Sequence, residues 1–315
     1  MVKVGRVPFL CSTALALAAC GGGSGGGGTN FIPSPPVTPT PTPVPPVPPV
    51  PPIPAGPIGL QSAAPFQVYS AYRDSSGAPV STAAGFDISY SAADNRYTVT
   101  VPANGSGQLV TTGGEGSFNE AGWLNLAATA NSVIAASGSA VPNLTVVLGW
   151  PASSEFNYTS SGRWYDPRAV QYGAAGYFVY GIPTAAGDVP VSGNATYSGS
   201  VSGVTGAVGD VYGSVSLNFD FGAGTLAGVM KPEIAPIWDA IPLGNYTFRD
   251  TVYSRGSTSF SGAFNVPGST APSSFRGSFN GPQATELMAQ WNAPYLDPTT
   301  NQWGTMSGVW KAKKP

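Results

Sequence analysis

The chain has 315 residues, 13 Lys and Arg against 15 Asp and Glu, 42 glycines, 32 prolines and no histidine. Charged residues make up 9%, well below the ~25% usual for soluble domains, and a formal charge of −2 leaves no basic footprint for nucleic acid. The lack of histidine excludes Ser-His-Asp and Cys-His nucleophiles, and His-ligated zinc or haem.

The N-terminus reads as an address. Lys3 and Arg6 precede an apolar run, Val7 to Ala19, that is shorter than the ~20 residues a permanent membrane helix needs. A basic start, a short apolar core and small residues at the end form a secretory leader, residues 1–19. The end, Leu17-Ala18-Ala19-Cys20, resembles the lipobox of bacterial lipoproteins. That resemblance implies cleavage before Cys20, and acylation of its thiol and new amine with palmitate-type chains. Several chains, at ~0.8 kcal/mol per buried methylene, make a stable anchor. Gly21, not Asp, follows Cys20, which points to the outer membrane. Cys11 leaves with the leader, so the mature chain holds one cysteine, no disulfide and no Cys-based metal site. Loss of Lys3 and Arg6 takes the charge from −2 to −4.

Residues 20–58 read as a tether. Gly21 to Gly28 is glycine with one serine, a flexible coil. Pro33 to Pro57 is proline-rich and favours extended polyproline II. At ~3.1 Å per residue, some 25 residues reach roughly 75 Å, enough to clear lipid and surface sugars. The alternative use of such a run is as a ligand for proline-recognising domains.

About 255 residues remain, rich in Val, Thr, Tyr and Phe and poor in helix formers, which is a β composition. In residues 59–190, short strands are predicted at 66–72, 85–90, 96–102, 143–150 and 174–184, a smaller antiparallel β "handle". Residues 191–315 alternate more regularly. Strands are predicted at 195–203, 211–221, 224–230, 244–254, 258–266, 274–279, 288–294 and 303–311. Val215, Leu217, Phe219 and Phe221 share one face; Phe260, Gly262, Phe264 and Val266 share another. Eight such strands suit a closed antiparallel barrel with a filled interior, and glycines make room for rings. Residues 221–224 read as a tight turn with Gly222 and Gly224 at positive φ. Pro282 is placed as the first residue of a short helix continuing through Glu286 and Leu287.

Here the sequence resembles the β-barrel family of transferrin-binding protein B and factor H binding protein. Those barrels carry Gly-x-Phe-x-Gly-Pro-x-Ala-x-Glu-Leu-Gly-Gly, and Gly277, Phe279, Gly281, Pro282, Ala284, Glu286 and Leu287 match it. Met288-Ala289 departs from the final Gly-Gly, and the C-terminal "SGVWKAKKP" departs from the family's Phe-Gly-Ala close. Residues 195–230 resemble the family's first barrel hairpins, and residues 156–167 a Tyr-Thr-x-x-Gly-x-Trp segment of its short members. The resemblance implies a lipid-anchored, surface-exposed, non-enzymatic module. It would capture a protein or small solute through loops and handle, within metal acquisition, with an outer-membrane transporter or lipoprotein translocator as a further partner. The matching residues are structural and carry over no ligand.

Chemistry-bearing motifs are sparse. Asp87, Asp94, Glu115, Glu120, Glu155 and Asp166 are scattered, with no spacing that pairs two of them for glycosidic work. No enzyme, cofactor or metal site is predicted, and no motif singles out a tyrosine for ferric iron or haem. Trp164 and Tyr165, flanked by Arg163 and Arg168, fit an interface anchor or the packing of two β units. Trp238 falls on a long loop, as a contact if exposed and a plug if buried. Arg163, Trp164, Tyr165 and Trp238 are therefore the candidate ligand contacts. The rival reading is a structural or adhesive envelope lipoprotein without a discrete ligand. A transmembrane barrel fits poorly, because glycine and serine dilute both strand faces.

Overall fold

A computed structural model describes residues 66–315, apart from 75, 83, 92–95, 103–107, 115–122, 126–129, 134–144, 150–155, 167–173, 207–208 and 236–239. The leader, Cys20, the tether and Trp238 lie outside the described residues, as do Asp94, Glu115, Glu120, Glu155 and Arg168.

The C-terminal half closes into a barrel. Its strands are β11 (Asn194–Thr205), β12 (Asp210–Asp220), β13 (Thr225–Ala235), β15 (Tyr246–Val252), β16 (Ser259–Asn265), β17 (Ser274–Asn280), β18 (Glu286–Leu296) and β19 (Trp303–Lys313). A two-residue strand, β14 (Ile241–Pro242), is appended to β13. Each barrel strand pairs antiparallel with the next, and β19 closes on β11 from Thr205↔Met306 to Ser198↔Lys313. The predicted eight-stranded antiparallel barrel is thus present. β13 runs past the predicted end at Met230, because Pro232 sits opposite Gly213 and its carbonyl accepts the Leu243 N–H.

Alternation fills the interior. Val215, Leu217, Phe219 and Phe221 on one side, and Phe260, Phe264 and Val266 on another, are buried. Towards one end, Phe219 packs edge-on against Phe279 (4.8 Å) and Phe260 (5.2 Å). Towards the other, Phe248 contacts Phe275 (4.5 Å) and stacks on Trp310 (5.7 Å, 11°). Eight strands leave room for side chains alone, and these rings take it. Glycine is required where a ring lies on the wall: a Cβ on Gly308 would stand 2.3 Å from the Trp291 ring. Lys314 closes the first end, its Nζ donating to the Gln283 carbonyl (2.8 Å) and lying over Tyr197 and Phe221.

Two details of the sequence reading are corrected. In the 221–224 turn only Gly224 has positive φ (68°). After Pro282 there is no helix running into Glu286. A single 3-10 turn, Pro282–Ala284, has left-handed Gln283 (φ 52°) and Ala284 (φ 53°), and Glu286 already begins β18. The left-handed residues reverse the chain too sharply for a helix to propagate.

The N-terminal part forms two antiparallel sheets. One is six-stranded, in the order β2 (Pro79–Ser81), β1 (Gln67–Arg73), β10 (Ala174–Gly181), β9 (Thr159–Asp166), β8 (Thr145–Gly149), β6 (Trp123–Asn125). The other is four-stranded: β3 (Asp87–Ser91), β4 (Arg96–Pro102), β5 (Gln108–Gly114), β7 (Ala130–Val133). One face of the larger sheet buries Trp164, Phe178 and Tyr180, with Phe86, just before β3, 4.5 Å from Phe178. Its other face sits on the barrel's outer wall. There Tyr69, Ala71, Tyr177 and Val179 meet Val204, Met288 and Val309, which point outward from β11, β18 and β19.

Two polar devices fix this seat at its ends. Buried Arg73 donates to the carbonyls of Thr205 (3.0 Å) and Gly209 (3.3 Å). At the other end the buried Glu286 carboxylate accepts the N–H of Asn157 (2.6 Å), the N–H of Tyr158 (3.0 Å) and the hydroxyl of Thr159 (2.6 Å). Burial raises the Glu286 carboxyl above its ordinary value, against those three hydrogen bonds. Lys311 lies beside it, its Nζ 4.6 Å from the Phe156 ring.

Burial pushes the Lys311 ammonium down to about 8, with the Glu286 charge opposing the shift. An unfolded lysine titrates near 10.4. Below pH 8 the group is charged in both states, and burying that charge costs stability. Between pH 8 and about 10 the folded chain loses the proton first, so this cost is relieved and stability rises. Lys311→Met is expected to remove that rise in urea denaturation curves taken across the window. An unchanged rise in the variant would contradict the assignment.

Candidate functional site

The register decides which side chains can meet. In the six-stranded sheet Arg163 pairs with Tyr177, and Tyr165 with Ala175. Direct partners in a ladder share a face, so Arg163 and Tyr165 lie on the face that also seats Tyr177 on the barrel. Trp164, between them, turns to the opposite face. It is 2% exposed, packs 6.0 Å from the Tyr72 ring, and crowds Gly176 so closely that a Cβ there would lie 2.4 Å from its Nε1. The Trp164 side chain therefore packs on the buried face of the six-stranded sheet, against its neighbours Tyr72 and Gly176. Tyr165 is exposed (47%), and so is Arg163.

The barrel supplies the facing wall. On β12, Val211 points inward, while Asp210 and Tyr212 point outward, under the handle sheet. Tyr177 and Tyr212 meet with ring centroids 6.4 Å apart at 82°, and their hydroxyls are 3.3 Å apart. Tyr212 donates onward to Asp210 Oδ2 (3.1 Å). Between the walls lies a cleft of about 300 Å³, with Arg163 and Tyr165 on the handle side and Asp210 on the barrel side.

Its electrostatics follow from burial and from the charges of Asp210 and Arg163. Burial, and then the Asp210 charge, push the Tyr177 phenol far above its ordinary value. Burial also raises Tyr212, and the Arg163 charge is close enough to pull it partly back. Both phenols are therefore protonated at neutral pH. They serve as hydrogen-bond donors and aromatic faces, and are poor candidates for tyrosinate ligands of ferric iron. Among the described residues, no three of His, Cys, Asp and Glu come together as a metal site.

The segment 277–287 forms the junction itself. Gly277 lies under the Phe260 ring, and Phe279 and Leu287 are in the core. Gly281 (φ 72°) receives the Tyr158 ring, and Ala284 offers its carbonyl to the Tyr197 hydroxyl. Pro282 opens the turn that aims Glu286 at the handle. Sequence reasoning missed Tyr177, Asp210 and Tyr212. The signal for Tyr212 was present: it stands on the polar side of β12, in line with Ser214, Ser216 and Asn218, where a large aromatic is out of place.

Opposite effects are expected from neighbouring truncations. Trp164→Ala should cost about 3–5 kcal/mol of folding stability, as for a buried tryptophan, and Tyr165→Ala no more than about 0.5 kcal/mol. Chemical denaturation of both variants checks this, and comparable losses would contradict the facing assigned to β9.

No protein-family model matches the chain, and no curated protein matches it. Solved structures do. A transferrin-binding protein B double mutant from Haemophilus parasuis is 15% identical, with a TM-score of 0.43, over 78% of this chain and 44% of that one. A mutant of transferrin-binding protein B from Actinobacillus pleuropneumoniae is 15% identical, with a TM-score of 0.38, over 80% of this chain and 100% of that one. A structure described as a surface lipoprotein is 14% identical, with a TM-score of 0.37, over 79% and 98%. The chain spans less than half the length of the first of these.

Proposed function

We propose that the chain is a lipid-anchored outer-membrane protein that binds its ligand without catalysis. Cys20 carries the anchor, residues 20–58 hold the folded part away from the bilayer, and residues 59–190 and 191–315 act as handle and barrel. The ligand, a protein or a small solute, is met on the outside of the molecule at the handle–barrel cleft. One observation carries this reading. The barrel interior is filled with packed rings, while Arg163, Tyr165, Tyr177 and Asp210 line one cleft on the exterior, with Tyr212 hydrogen-bonded to Asp210 beside it. Arginine and tyrosine over a half-open concavity are the residue types that dominate binding surfaces. A role in metal acquisition, with a transporter in the same membrane, is the finer form of the proposal, and it rests on the family resemblance of the sequence.

The test is proteinase K digestion of intact cells, beside a periplasmic control protein and a Cys20→Ser variant. The folded part is expected to be digested while the control survives, and the variant to leave the membrane fraction. Protection until the outer membrane is broken would overturn surface presentation, and membrane retention of the variant would overturn the anchor.

A further inference from the structure

Among the described residues that line the cleft, one side chain is positive, Arg163, and one is negative, Asp210, and they do not pair with each other. Asp210 takes the Tyr212 hydroxyl on one of its oxygens, and Arg163 acts on Tyr212 only through its charge. Arg163 belongs to the handle wall and Asp210 to the barrel wall, with the cleft between them. A simple anion entering here would meet Asp210, and a simple cation would meet Arg163. A ligand carrying both charges satisfies both walls.

The negative end is also the aromatic end. Tyr177 and Tyr212 stand nearly perpendicular beside Asp210, and Tyr212 is 39% exposed. Phenol faces beside a carboxylate favour an organic cation over a metal ion, because the ring quadrupole attracts spread positive charge and an alkylammonium has no tight hydration shell to lose. At the other end, the Arg163 guanidinium presents a planar fork suited to a phosphate or carboxylate. We propose that the cleft takes a small zwitterion of phosphocholine type, its alkylammonium against Asp210, Tyr177 and Tyr212 and its anionic group on Arg163. The inference rests on the reading of the cleft as the binding site, and names the ligand class it would take.

Such a group occurs free or as a lipid headgroup, and the experiment separates the two. Soluble phosphocholine is titrated into the full chain by calorimetry, with choline and inorganic phosphate as half-ligands. Phosphocholine is expected to bind saturably, and choline at least tenfold more weakly. Asp210→Asn and Arg163→Gln should each weaken phosphocholine at least tenfold, and choline should feel only Asp210→Asn. Circular dichroism confirms that each variant is folded, and Tyr212→Leu gives a second test of the cationic end. Co-sedimentation with phosphatidylcholine vesicles, competed by phosphocholine, would assign the lipid as the source. Binding of soluble phosphocholine without vesicle binding would assign a free solute. Lack of saturable binding by the folded wild-type chain, phosphocholine binding undiminished in either charge variant, or choline binding as tightly as phosphocholine would overturn the proposal. Those outcomes leave the protease test of surface presentation untouched, so the two failures are distinguishable.

Discussion

The architecture depends on one buried carboxylate. Glu286 stands on the barrel's outer wall, yet all three of its donors belong to the handle, Asn157 and Tyr158 just before β9 and Thr159 at its start. A carboxylate taken out of water costs several kcal/mol unless its lone pairs are satisfied. Only one placement of the handle satisfies them. Apolar contacts alone, between Tyr69, Ala71, Tyr177 and Val179 and the wall residues Val204, Met288 and Val309, would tolerate some sliding. The carboxylate at one end and Arg73 at the other turn that greasy contact into a fixed seat.

The cleft is a by-product of that seat. It lies where β9 and β10 of the handle face Asp210 at the start of β12. Neither wall forms the cleft alone: Arg163 and Tyr165 come from one, Asp210 from the other. The barrel contributes rigidity and no lumen. Its interior rings interlock from the Phe219 cluster to the Phe248–Trp310 stack, and Lys314 caps one end. A cleft of this kind is set by how two folded layers are docked, and its lining residues depend on the Glu286 junction even where they lie far from it.

Much of this was legible in the sequence, and the reasons are specific. Period-two alternation from Tyr197 to Trp310 gave the eight strands, since a one-sided core leaves that mark. Glycines among aromatics gave the curvature, as the Gly308–Trp291 contact bears out. The left-handed Gln283 and Ala284 were not legible, because residues with side chains rarely adopt that conformation and nothing in their identity marks it. Tyr177 escaped because it meets Asp210 and Tyr212 only through tertiary docking. The opposite facing of Trp164 and Tyr165 was recoverable, since adjacent residues of any strand point apart. It required reading 159–166 as a strand, and the serines and glycine there argue against one locally.

The most direct test of the account is native-state hydrogen exchange at the Asn157 and Tyr158 amides in the full chain. These amides precede β9 and have the Glu286 carboxylate as their acceptor. If the carboxylate fixes the handle to the barrel, they exchange as slowly as the amides of β18, and in Glu286→Ala they exchange fast while β18 remains protected. Fast exchange at both amides in the wild-type chain would show that the clamp does not hold the two parts together. The cleft could not then be a fixed site.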